Sequence, residues 1–200
     1  MPKVKWIGLI RQELSNYQKG KLSKNAKKMK MPKTANEMMV KAIPLLILPF
    51  CIIFLSMFFK TLTSKQVVVT PIFICIGFFI GFVALLIHEY LHAIIYPKDA
   101  TVYIGFYPKA LAMVALASYP LKRERFILMS LLPTILGIIP IIIFMITPPS
   151  MKGLNGFLFG LSIMGLTSPY PDFYNVYQVL KQTPKKCRIQ FYEDDTYWID

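Results

Sequence analysis

Apolar positions in this chain do not recur once per turn along one face. They gather into four long runs, at about 42–59, 71–96, 126–146 and 154–170, separated by short polar stretches. A run of that length approaches the roughly 20 residues a helix needs to cross a hydrocarbon core of about 30 Å. The pattern predicts an all-α integral membrane protein, a four-helix transmembrane bundle. Pro44 and Pro49 fall where they would kink the first helix, and Pro97 ends the second. Thr147, Pro148, Pro149 and Ser150 make a tight loop after the third, and the fourth meets Pro169 and Pro171.

The polar stretches carry a second pattern. Within 98–125, residues 101–107 and 111–118 fit two strands around Pro108 and Lys109, a β-hairpin between the second and third helices, and equally a plain amphipathic loop. A short strand is expected at 188–192. Near the start, Trp6, Ile10, Leu14 and Tyr17 recur at helical spacing, which predicts a short interfacial helix. Residues 19–33 are Lys-rich and turn-like, and are expected to be mobile. The chain then divides into a basic cytoplasmic N-terminal segment (1–41), a membrane-embedded domain (42–175) and a cytoplasmic C-terminal tail (176–200).

Composition reinforces the membrane reading. The chain is 55% hydrophobic, with a mean hydropathy of +0.50, above the roughly 45–50% apolar content of soluble domains. The net charge of +13 raises nucleic acid as a partner, but no recognition motif accompanies it. The basic residues instead flank the apolar runs: Lys3, Lys5, Arg11 and the lysines from Lys19 to Lys41 before the first, Lys98 to Arg125 after the second, Lys181 to Arg188 after the fourth. With an even number of spans, all three basic regions lie on one side, which the positive-inside rule makes the cytoplasm. The expected location is the cell membrane, multi-pass, with both termini cytoplasmic and anionic lipid as a partner. The first apolar run begins too late for a cleavable leader. Cys51, Cys75 and Cys187 show no paired spacing, so neither a disulfide framework nor a thiolate metal site is expected.

The candidate chemistry sits in the second run, at His88, Glu89, Tyr90, Leu91 and His92. Positions i and i+4 share one face of a helix, so the two imidazoles can bind one zinc ion. Glu89 is placed to act as general base on a water at that ion. These are the only two histidines in the chain, and a carboxylate in an apolar helix is by default a functional group. The competing reading is that His88, Glu89 and His92 hydrogen-bond helices together, a role that does not need this spacing.

A zinc site requires a third protein donor, and with no further histidine it falls to a carboxylate. Asp172 is the first choice, because Pro169 and Pro171 interrupt the helix just ahead of it and the chain there can line a cavity. Asp99, Glu193, Asp194 and Asp195 rank below it. Asn175, one turn further on, is a candidate donor to a substrate carbonyl or oxyanion.

The His88-Glu89-x-x-His92 element in a membrane helix, followed by a hairpin, another helix and a proline-containing stretch ending in Asp172, is similar to the core of site-2 protease intramembrane metalloproteases. It resembles most the bacterial putative zincin peptidase domain family, over about residues 42–195. Ser168 to Asp172 departs from the site-2 protease pattern, with no Asn ahead of the prolines and no Gly after the Asp. The resemblance implies zinc held by His88, His92 and Asp172, Glu89 as base, and hydrolysis of a membrane-protein or peptide substrate near the cytoplasmic face. Two rivals stay open: a zinc-binding membrane scaffold without turnover, and a metal or proton transporter. Transport is disfavoured because the first and third helices are nearly free of ionisable residues.

Overall fold

A computed structural model describes all 200 residues. In chain order the elements are β1 (Lys3–Leu9), β2 (Lys27–Lys28), α1 (Ala35–Ala42), α2 (Ile47–Ser64), α3 (Pro71–Val83), α4 (Leu85–Ile94), β3 (Thr101–Tyr107), β4 (Ala112–Leu116), β5 (Leu121–Lys122), α5 (Arg123–Leu131), α6 (Ile135–Ile146), α7 (Lys152–Thr167), α8 (Tyr170–Gln182), β6 (Arg188–Tyr192) and β7 (Asp195–Ile199). The fold is mixed α and β with two sheets, not the all-α four-helix bundle that the apolar runs predict. The chain weaves between two compact units. One holds residues 1–41, 86–132 and 171–200, the other residues 42–85 and 133–170.

The second unit is helical: α2, α3, α6 and α7. Two helical runs are long and apolar enough to cross a membrane, Ala35–Ser64 and Arg123–Ile146. The expected second span is broken, α3 and α4 meeting at a 40° bend. The expected fourth stops early. Helix α7 has 16 residues, about 24 Å at helical rise, short of a bilayer core. Pro169 follows it directly, and the chain restarts as α8 with Pro171 in the first turn, where the missing N–H costs nothing.

This unit has an apolar core that includes Ile53, Phe144, Phe159 and Leu166, buries glycines beside it, and turns many of its other large side chains outward. A Cβ on Gly77 would run into the backbone of Phe157, and one on Gly160 into the backbone of Ile74, so these two glycines let α3 and α7 touch main chain to main chain. Phe54 and Ile139, by contrast, are 67% and 52% exposed. Lys60 of α2 is buried, its ammonium held by the Phe144 and Thr147 carbonyls and Asn155 Oδ1. The two carbonyls lie at the C-terminal end of α6, the end a cation stabilises.

The first unit contains both sheets. In one, ordered β1-β3-β4, β1 runs parallel to β3 and β4 antiparallel to it. Strands β3 and β4 lie where the sequence predicts them, around a short helical turn at Pro108–Ala110. The interfacial helix expected from Trp6 to Tyr17 does not form. Residues Lys3 to Leu9 are a strand, because Val4, Trp6 and Ile7 suit a sheet and β3 offers a partner. Gly8, at φ 64, absorbs the register shift after Trp6. The second sheet is ordered β2-β7-β6-β5, all antiparallel, and includes the expected strand at Arg188–Tyr192. The Lys-rich stretch is tied down rather than loose: Gln190 Nε2 donates to the Lys21 carbonyl, the Met29 N–H donates to Thr196, and β2 pairs with β7. The core of this unit gathers Ala93, Tyr96, Val102, Ile104, Phe126 and Ile189.

Candidate metal centre

Helix α4 is built inside out relative to an ordinary amphipathic helix. It buries His88, Glu89 and His92, which are 5%, 7% and 7% exposed. Its apolar Leu86 and Ile87 and its Tyr90 face outward. Helical spacing puts His88 and His92 one turn apart on the buried face. Asp172 lies in the first turn of α8, set by the break at Ser168 and Pro169. All of these residues belong to the first unit.

Three donor atoms converge there. His88 Nε2 lies 3.1 Å from His92 Nε2, 3.4 Å from Asp172 Oδ2, and His92 Nε2 lies 3.5 Å from the same oxygen. Tetrahedral zinc at about 2.0–2.1 Å from each donor requires donors about 3.3–3.4 Å apart. The triangle therefore has the size and the chemistry of a zinc site, with three protein donors and a fourth position left over. Structure brings together His88, His92 and Asp172, the grouping in which a metal ion can be held.

The surroundings orient the donors unequally. His92 Nδ1 is 2.8 Å from the Met129 carbonyl of α5. His88 Nδ1 is buried and has no partner. Glu89 Oε1 is 3.8 Å from His88 Nε2, and the Ala115 backbone of β4 lies beside the Glu89 carboxylate. Burial pushes the Asp172 carboxyl up, but the charge of His92 and hydrogen bonds from both imidazoles outweigh it and hold the group below the usual carboxylate range. Asp172 is thus an anionic donor at neutral pH.

The lesser candidates lie elsewhere. Asn175 sits one turn beyond Asp172 on α8, outside the donor triangle, with a buried and unpartnered Oδ1. Asp99 accepts a hydrogen bond from the Tyr119 hydroxyl. Asp195 pairs with Lys28, and Glu193 and Asp194 form the turn between β6 and β7. The sequence reading missed Met129 and Ala115, which act through main-chain atoms and so leave no side-chain signature.

Among known families, the one described as putative zincin peptidase matches residues 81–188, more than half of the chain and all four of His88, Glu89, His92 and Asp172. No curated protein and no solved structure matches the chain.

Proposed function

The chain belongs to the putative zincin peptidase family, and on that premise we propose that it is a membrane-embedded zinc metallopeptidase cutting peptide bonds of membrane-associated substrates near the cytoplasmic face. The observation that carries this reading is the convergence of His88 Nε2, His92 Nε2 and Asp172 Oδ2 beside the Glu89 carboxylate. His88, His92 and Asp172 would hold zinc, which supplies Lewis acidity that lowers the pKa of water toward about 7 and polarises a carbonyl. Glu89 is the general base. It takes the proton of the attacking water and returns it to the leaving amine.

Strand β4 is an edge of its sheet, and its Ala115 lies beside the base. A substrate unwound into an extended strand can add to that edge and pass beside Glu89. Helices hide their carbonyls, so substrates with helix-breaking residues should be preferred.

The membrane setting rests on the two long apolar helical runs and on the outward-facing Phe and Ile side chains, more apolar surface than a soluble monomer usually exposes. Both termini belong to one compact unit, whose β2 pairs with β7. That unit also holds the basic stretches 1–41, 98–125 and 181–188, which favours a common, cytoplasmic side.

The test is Glu89→Gln. In a panel of single-span membrane peptides, wild type is expected to cleave those with unwound segments. The variant should keep its zinc and lose about 10²–10⁴-fold in rate. A variant as active as wild type would overturn the assignment.

A further inference from the structure

The Met129 carbonyl is available to His92 for a reason that lies four residues further along the chain. Helix α5 ends at Leu131, the next three residues form a tight turn, and α6 begins at Ile135. The Leu132 N–H donates to the Leu128 carbonyl, in helical register. The next bond of that ladder would run from residue 133 to the Met129 carbonyl, and residue 133 is proline. Proline has no N–H to give, and its ring crowds the carbonyl four residues back off the helix axis. Met129 and Pro133 are both buried, so the displaced carbonyl cannot turn to water and must find a donor within the protein. The donor it meets is His92 Nδ1, at 2.8 Å.

A carbonyl only accepts, so His92 Nδ1 carries the hydrogen. The neutral ring then has its lone pair on Nε2, the atom that faces His88 Nε2 and Asp172 Oδ2. We propose that Pro133 is a positioning residue for the metal site: it denies the Met129 carbonyl its helical partner, presents it to His92, and so fixes the ring orientation and tautomer of that ligand. The inference rests on the zinc reading above and adds to it an outer support of the kind that typically tunes metal affinity by about 10–100-fold. His88, whose Nδ1 has no partner, lacks such a support.

The chain's two histidines make this directly readable. Protein labelled only with ¹⁵N-histidine gives ring signals from His88 and His92 alone, and His88→Ala assigns them. In zinc-free wild type, at a pH high enough for both imidazoles to be neutral, His92 should show the Nδ1–H tautomer. In Pro133→Ala, whose restored N–H can draw the Met129 carbonyl back into the helix, His92 should move toward a tautomer average and zinc affinity should fall about 10–100-fold. Pro140→Ala, which restores an N–H inside α6 against the Leu136 carbonyl, should change neither. A wild-type His92 that is averaged or Nε2–H overturns the proposal, even if Pro133→Ala fails to fold. So does equal loss in both proline variants. Zinc binding in wild type with an unchanged Pro133→Ala overturns this inference alone, whereas a wild type that binds no zinc overturns the peptidase reading and this inference with it.

Discussion

The two compact units differ in what they bury beside their apolar cores. The helical unit packs a small apolar core around Phe144, Phe159 and Leu166, turns many of its other large side chains outward, and lets α3 approach α7 through Gly77 and Gly160. The sheet-containing unit has an ordinary apolar core around Val102, Phe126 and Ile189, and beside it α4 buries two imidazoles and a carboxylate. In the helical unit close contact between backbones adds to that core, a mode of association suited to helices in an apolar surrounding. In the other, side chains that are costly to bury are kept because they converge on one point. Burial by itself is therefore no guide to function here. A buried group that contributes chemistry is distinguished by its convergence with others.

That comparison can be broken at its outer surfaces. Ile139 of α6 and Leu180 of α8 are both exposed. If the helical unit faces lipid, Ile139→Lys should cost about 3 kcal/mol of insertion, whereas Leu180→Lys should stay within about 0.5 kcal/mol. The membrane-inserted fraction and thermal unfolding in detergent report the two effects. Equal tolerance of both substitutions would remove the distinction between the units. A smaller effect sharpens the contrast between interiors. Gly160→Ala places a methyl group against the Ile74 backbone and should destabilise the helical unit by about 2 kcal/mol, without lowering the intrinsic zinc affinity of protein that remains folded. Unfolding and metal titration on the same preparation separate the two quantities.

Legibility in the sequence followed the locality of the cause. His88, Glu89 and His92 can be read directly because one helical turn brings them together and zinc chemistry needs that spacing. Asp172 can be read because Pro169 and Pro171 announce a break before it. Strands β3 and β4 follow from local alternation around Pro108. Strand β1 could not be read this way. Its partner β3 begins at Thr101, far along the chain, and Trp6, Ile10, Leu14 and Tyr17 mimic a helical period that Gly8 interrupts. The four apolar runs were legible as helices but not as four complete spans. Nothing in composition shows that α7 stops at Thr167 with its glycines turned inward, or that the second run bends at Ala84. The hydropathy pattern passes over the break at Pro133, reading 126–146 as one helix across it, and the acceptor that proline frees is a main-chain atom of Met129, which has no letter in the sequence.

The central claim is that His88, His92 and Asp172 form one zinc site. Zinc content of the detergent-purified protein tests it most directly, with wild type measured beside His88→Ala and Asp172→Ala. The account predicts about one zinc per chain in wild type, none retained by His88→Ala, and weakened retention by Asp172→Ala. Folded wild type that takes up no zinc, or an Asp172→Ala variant that holds zinc as tightly as wild type, would contradict it.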